Sequence, residues 1–255
     1  MSSSSQQSLC VITGGTRGLG RAIALEFAEK NYHVIATYVR QQSAAQALQS
    51  HADKLNLNIT TVRADVSTDR GRETLLQSVV DSQKKLNVLV HSAATGVHKL
   101  LMECSERELN WTFNTNTFGF LRLIQTLLPQ FEKSGNQSIV AISSNGAHSV
   151  LPAYGLVGAS KAALECWIRY LAVELSASHG IRVNGIRPGT LNTEAWDHLP
   201  QREERIRQAS QRAVTGRLVN LSEVAQLAYF LCSDNAQSIT GEIVPLNGGG
   251  LLMGS

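Results

Sequence analysis

The apolar run Leu9–Thr13 passes directly into Gly14-Gly15-Thr16-Arg17-Gly18-Leu19-Gly20 and then into a helical pattern. Glycines let a chain turn tightly and let backbone N–H groups approach a pyrophosphate. A helix starting there adds the positive end of its dipole. With a strand before it and a helix after it, the turn becomes a dinucleotide-site signal. Nearby charge bears on which dinucleotide fits. A ribose 2′-hydroxyl is read by a carboxylate after the second strand. After the run His33–Thr37 this chain offers Tyr38-Val39-Arg40, with no Asp or Glu at hand. Arg17 and Arg40 bring two guanidinium groups toward one ribose, which matches a 2′-phosphate. NADPH is the expected cofactor.

The second chemical pair lies at residues 154–161, YGLVGASK. Seven helical steps from Tyr154 to Lys161 turn the chain through about 700°, roughly 20° short of two full turns. Phenol and ammonium therefore share one helix face. Ser144-Asn145-Gly146 opens the segment leading to them. His98, His148, His179 and His198 have no metal-ligand spacing and read as surface or loop residues, so no metal is expected.

These residues need elements to hold them. Strand patterns cover Leu9–Thr13, His33–Thr37, Ile59–Ala64, Val88–His91, Ser138–Ser143, Arg182–Arg187 and Glu242–Pro245. Helical patterns cover Leu19–Lys30, Ser43–Leu55, Gly71–Lys84, Glu106–Lys133, Tyr154–Ser178 and Ser222–Ser233. In the first of these, Leu19, Ala22, Ile23, Glu26 and Phe27 form one face. The alternation predicts an α/β fold: a single Rossmann-type, doubly wound parallel sheet of about seven strands with helices on both faces. Residues 1–8 are expected as a flexible N-terminus and 9–255 as one domain. Leu191–Gly216 breaks the alternation, and a long insertion after a strand end usually covers a ligand. A surface helical hairpin is the plainer alternative.

The chain has 255 residues, of which 43% are hydrophobic and 5% aromatic, with 20 glycines. That composition suits an aliphatic core of parallel strands under closely packed helices. No apolar run is long enough to cross a bilayer, and Ser2 to Ser8 lacks the basic and apolar regions of a signal peptide. The net charge of +3 is mild, with neither clustered Lys/Arg nor interleaved aromatics, so nucleic acid is not an expected partner. Cys10, Cys104, Cys166 and Cys232 are scattered without a CxxC pair, and read as reduced, buried thiols of a cytoplasmic protein.

The TGxxxGxG spacing of the first turn resembles the nucleotide loop of the short-chain dehydrogenase/reductase family, and the resemblance extends over nearly the whole chain. The family's common pattern is YxxxK. Here Val157 holds that tyrosine position and Tyr154 gives YxxxxxxK. The longer spacing resembles the family's enoyl-acyl-carrier-protein reductases, closest to the NADPH-dependent type III. Supporting stretches are residues 91–97 (HSAATGV), 111–116 (WTFNTN), 154–174 and 193–196 (TEAW). The resemblance implies that Tyr154 donates to a developing enolate. It implies that Lys161 binds the nicotinamide ribose hydroxyls and lowers the Tyr154 pKa. Ser144 matches the family's serine. Asn116 matches the asparagine that organises a water and Lys161 in carbonyl-reducing members. Cofactor contacts are implied for Gly14, Thr16, Arg17, Gly18, Leu19, Gly20, Tyr38, Arg40, Ala93, Lys161, Pro188, Gly189 and Thr193, with Asp65-Val66 at the adenine. A homotetramer is implied, with the two long helices packing across a two-fold axis.

The tyrosine hydroxyl is displaced by roughly 4.5 Å along the helix from its usual place. In carbonyl reduction, the carbon that takes hydride carries the oxygen that takes the proton. In enoyl thioester reduction, hydride goes to the β-carbon while charge collects on a thioester oxygen three bonds away. A more distant donor suits the second reaction. The expected function is reduction of 2-enoyl thioesters of an acyl carrier protein or coenzyme A. Carbonyl or imine reduction and a non-catalytic NADPH-binding regulator are the alternatives. Arg202, Arg205, Arg207 and Arg212 could meet an acidic carrier protein, although Glu203 and Glu204 equally suit a solvated helix face. His91-Ser92 replace the family's paired asparagines, so different local geometry is expected there. Asn247 replaces the Asp of many relatives, and Pro188-Gly189 follow the commoner family pattern, not the type III one.

Overall fold

The computed structural model describes residues 7–133, 135–193 and 202–252. Seven strands form one sheet: β1 Leu9–Thr13, β2 His33–Tyr38, β3 Ile59–Arg63, β4 Leu86–His91, β5 Gln137–Ile142, β6 Ile181–Pro188 and β7 Ile243–Leu246. Their order in space is β3-β2-β1-β4-β5-β6-β7, and all neighbours are parallel. The helices are α1 Gly18–Glu29, α2 Gln42–Lys54, α3 Asp69–Asp81, α4 Glu106–Phe113, α5 Gly119–Leu127, α6 Gly155–His179, α7 Arg202–Arg212 and α8 Leu221–Cys232.

Strand alternation divides the core in two. Leu9 and Val11 of β1 face α3, α5 and α6, whereas Cys10 and Ile12 face α1, α2 and α8. All four are fully buried, as expected of a parallel strand covered on both sides. The order reverses at β1, with β2 to one side and β4 to the other. The loops leaving β1 and β4 therefore diverge and open a crevice at the carboxyl edge.

Two glycines shape that crevice. Gly14 has φ +64°, and a Cβ there would stand 3.0 Å from Ala93 Cα, where the β1 and β4 loops touch. At Gly20 a Cβ would lie 2.1 Å from the Gly14 carbonyl oxygen, so α1 starts with its backbone against the turn.

Several boundaries differ from the sequence reading. The buried face of α1 is Gly20, Ile23, Ala24, Phe27 and Ala28, one residue round from the expected stripe. Close backbone packing at Gly20 rotates the helix. The expected helix Glu106–Lys133 is three pieces: α4, a π-turn at Asn114–Phe118 and α5. The buried Asn116 amide holds the π-turn through bonds outside its own helix. Pro129, lacking an N–H, then closes α5 through a 3-10 turn at Leu128–Gln130. Gln7 and Ser8, expected to be loose, are tied in. Gln7 accepts from Asn58 and Lys84 at 2.8 Å, and the Ser8 carbonyl accepts from His33 at 2.9 Å. Cys10 and Cys232 are buried, but Cys104 and Cys166 are half-buried. Within the 191–216 insertion, residues 194–201 lie outside those described, as do residues 1–6 of the N-terminus.

Gly20→Ala tests the close approach. Forcing the loop off α1 should lower unfolding free energy by about 1–3 kcal/mol, measured by denaturant titration, and weaken dinucleotide binding in parallel. An unchanged midpoint and affinity would show that the turn accommodates a methyl group.

Candidate active site

Ser144 follows β5 and caps the short turn Asn145–Ala147, its Oγ accepting from the Gly146 N–H at 3.3 Å. Gly146 lets the next side chain in: a Cβ there would meet Tyr154 Cδ1 at 2.4 Å. Tyr154, immediately before α6, thus lies with its ring against the Ser144 turn. Burial pushes its pKa above 10, and a hydrogen bond with the Ser144 side chain pulls the other way. His98, an exposed loop histidine as expected, sets its ring 5.5 Å from the Tyr154 ring, centroid to centroid.

Lys161 lies two turns along α6. Its Nζ donates to the Ile142 carbonyl at 2.7 Å, and only 4% of the residue is exposed. Desolvation lowers its pKa to about 8, with Glu165 acting in the opposite direction. Between the two, Val157 is buried against the loop after β4, where a Cβ on Gly96 would meet Val157 Cγ2 at 2.2 Å. The position one turn before Lys161 is therefore filled by packed aliphatic carbon. Asn116 donates to the Thr95 carbonyl and Ser160 Oγ, and accepts from the Thr95 N–H, all within 2.9 Å. Its side chain fixes the β4 loop against α6.

His91 takes up the work of an asparagine. The Thr13 hydroxyl accepts from the Ala93 N–H at 3.1 Å and lies 3.0 Å from His91 Nδ1. Thr13 Oγ1 or His91 Nδ1 donates in that contact according to the imidazole tautomer. Burial, reinforced by the Lys161 charge, lowers the His91 pKa to about 3. Through Thr13, His91 and Ala93 tie the end of β4 to the end of β1. Asn247 likewise keeps an acceptor, its Oδ1 receiving the Gly249 N–H at 3.0 Å.

The residues expected at a cofactor gather along the same edge. Thr16 is buried, while Arg17 is an exposed helix N-cap whose side chain makes no capping bond. Gly18, at φ +49°, has open space where a Cβ would project. Tyr38 ends β2 and Arg40 is exposed just beyond it. Asp65 is held by Ser67 through its Oδ1 at 2.6 and 3.0 Å, and the Val66 carbonyl accepts from Arg72 at 2.8 Å. Pro188 ends β6, and the Gly189 N–H is spent on Leu246 at 2.9 Å. Thr193 precedes the residues not described. The capless N-terminus of α1, bare glycine backbone and open space fit a dinucleotide pyrophosphate.

The sequence reading missed four contributors. Thr37 Oγ1 accepts from the Gly14 N–H at 3.2 Å and braces the turn. Arg63 crosses from β3 to the Val39 carbonyl at 3.2 Å, adding a guanidinium beside the residue before Arg40. Glu165 and Arg187 form a buried pair beside Lys161, with N–O distances of 2.6 and 2.9 Å. An acid four residues after Lys161, and an arginine within an apolar strand, were the available signals. Arg207, for which a carrier contact and a solvated helix face were equal alternatives, pairs with Glu204 at 2.7 Å on the exposed face. Glu194, Ala195, Trp196 and His198, with the side chains of Arg202 and Arg205, lie outside the description. Among the described residues no cluster could hold a metal ion, and no helix is long and apolar enough to cross a membrane.

Residues 14–250 match the family model described as enoyl-(acyl carrier protein) reductase. Over 246 residues the chain is 29% identical to 1-cyclohexenylcarbonyl-CoA reductase of Streptomyces collinus, covering 96% of this chain and 87% of that one. It is 30% identical to 3-oxoacyl-(acyl-carrier-protein) reductase of Staphylococcus aureus, covering 94% and 96%. L-sorbose reductase of Gluconobacter frateurii, solved with NADPH and L-sorbose, superposes with a TM-score of 0.89 at 27% identity, over 97% of this chain and 98% of that one. With the sheet order and the glycine turn, these matches place the chain in the short-chain dehydrogenase/reductase family of nicotinamide-dependent oxidoreductases.

Proposed function

We propose that the chain catalyses NADPH-dependent reduction of the 2-enoyl double bond of acyl-carrier-protein or coenzyme A thioesters. One observation carries the reading: Tyr154 supplies a hydroxyl beside Ser144, while the usual donor position is closed by Val157 packed on Gly96. A bound nicotinamide supplies hydride. Tyr154 and Ser144 then offer donors to the thioester oxygen, which carries the charge three bonds from the β-carbon. The Lys161 ammonium adds a positive field and a contact for ribose hydroxyls. An open, mainly apolar cavity of about 400 Å³ beside Tyr154, lined also by Leu101, Val150 and Leu151, suits an acyl chain. A relative that acts on a cyclohexenylcarbonyl thioester supports the same chemistry.

Carbonyl reduction is the second reading. The Ser144–Tyr154 pair is a donor arrangement that also serves a ketone oxygen, and the 3-oxoacyl and L-sorbose reductases lie close in sequence and in fold. Arg17 and Arg40 on the exposed edge support a 2′-phosphate and hence NADPH over NADH. The insertion around α7 would cover the substrate, and its basic residues would meet an acidic carrier. Exposed Trp111, Phe118, Tyr170 and Val173 on α4, the π-turn and α6 support assembly through those helices as a homotetramer.

The purified chain should oxidise NADPH with 2-enoyl thioesters faster than with 3-oxoacyl thioesters or ketones. Turnover of ketones alone would overturn the enoyl reading. Tyr154→Phe should lower kcat by roughly 10²–10³, the usual loss for one oxyanion donor, while NADPH affinity barely moves. Near-full turnover would remove Tyr154 from the mechanism. Replacing both Arg17 and Arg40 with Ala should raise KM for NADPH about tenfold or more per arginine, with little change for NADH. Equal losses would show that neither reads the phosphate. Light scattering should give four times the chain mass, and a monomer would exclude the tetramer.

A further inference from the structure

Glu165 lies one turn beyond Lys161 on the same face of α6 and is 5% exposed. Its Oε1 accepts from Ser143 Oγ at 2.5 Å and Arg187 Nε at 2.9 Å, and its Oε2 accepts from Arg187 Nη2 at 2.6 Å. Ser143 immediately precedes Ser144. Arg187 immediately precedes Pro188-Gly189, where a cofactor contact is expected. Three separate elements, the ends of β5 and β6 and the helix α6, therefore meet on one carboxylate. A buried carboxylate is costly unless a cation and hydrogen bonds satisfy it, and both are present here. Such a pair is weak evidence for stability, since aliphatic side chains fill the same space as well or better. Its place against the candidate catalytic residues gives it another role.

We propose that Glu165 is a positioning residue: its carboxylate locks Ser144, the Tyr154–Lys161 helix and the Pro188 loop into one unit and keeps Lys161 charged. The proposal rests on the reading of Tyr154, Lys161 and Ser144 as the reacting groups. Lys161 is faced by His91 from β4, neutral with its pKa near 3, and by Glu165 from its own helix. Arg187 of β6 pairs with the same carboxylate. Glu165 is thus the anion that opposes the desolvation of Lys161, whose pKa stands at about 8. Removing it leaves that desolvation unopposed, so Lys161 should lose its proton at lower pH.

The test uses the full chain with Glu165→Gln, Glu165→Asp and Ser143→Ala. Acylation of Lys161 by acetic anhydride in the cofactor-free protein, read by mass spectrometry across pH, reports its protonation without any turnover. Labelling should set in near pH 8 in the parent and about one pH unit lower in Glu165→Gln. Glu165→Asp and Ser143→Ala keep the charge, so their labelling onset should match the parent. All three should lose kcat, by about ten- to a hundredfold for Glu165→Gln, with the substrate KM little changed. An unmoved onset with full kcat and only a lowered melting point would make Glu165 a packing residue and overturn the proposal. Should Glu165→Gln fail to fold, full kcat in both Glu165→Asp and Ser143→Ala overturns it equally. If the parent reduces no thioester or ketone, the proposed function falls, and the labelling onset alone decides the role of Glu165.

Discussion

A parallel sheet buried on both faces forces every strand to return through a helix, and this sends every strand-end loop to the same edge. The rest of the site follows from that constraint. The turns after β1, β4, β5 and β6 come from residues spread across most of the chain, yet they converge where the strand order reverses. Contacts between them are backbone-close, because Gly14 brings its turn against Ala93 and Gly20 brings α1 against Gly14. Side chains at these positions would hold the loops apart. Thr13, His91 and Ala93 then fasten the β1 and β4 loops with short hydrogen bonds inside a dry environment.

Burial also sets the electrostatics. Lys161 and Glu165 sit among apolar helices and strands where charge is poorly solvated, and each leans on fixed partners: a carbonyl for Lys161, a hydroxyl and a guanidinium for Glu165. Desolvation lowers Lys161 while the carboxylate opposes it, and the same desolvation keeps His91 neutral. Such balances are set before any ligand arrives, which is what preorganisation of a reactive site requires. Asn116 contributes mechanically. By bonding Thr95 and Ser160 it introduces the π-turn that bends the α4–α5 segment around the site.

The exchange of Tyr for Val at position 157 is accommodated by the loop that covers it. Val157 lies so close to Gly96 that the β4 loop has closed over the space a donor at that position would use. The hydroxyl is instead supplied from the residue before the helix, where backbone freedom lets the ring lean on Gly146 and reach Ser144. The phenol thus stands three residues further from Lys161 along the chain than in the common YxxxK spacing, with Ser144 at its side.

The sequence by itself determined the fold class, the number of strands and the glycine turn that joins the first strand to the first helix. These are local or periodic properties: alternation, helical pitch and glycine at a strand end are written in neighbouring residues. It did not reveal the break at Asn114–Phe118, because an asparagine bonds as readily within a helix as to a distant loop. Nor did it reveal the one-residue rotation of α1, which backbone contact at Gly20 decides. The partners of His91 and the meeting of Ser143, Glu165 and Arg187 belong to tertiary structure alone. Residues 143, 165 and 187 lie on three elements whose approach depends on sheet order and helix packing. No spacing along the chain encodes a hydrogen bond between groups that only burial brings within 3 Å.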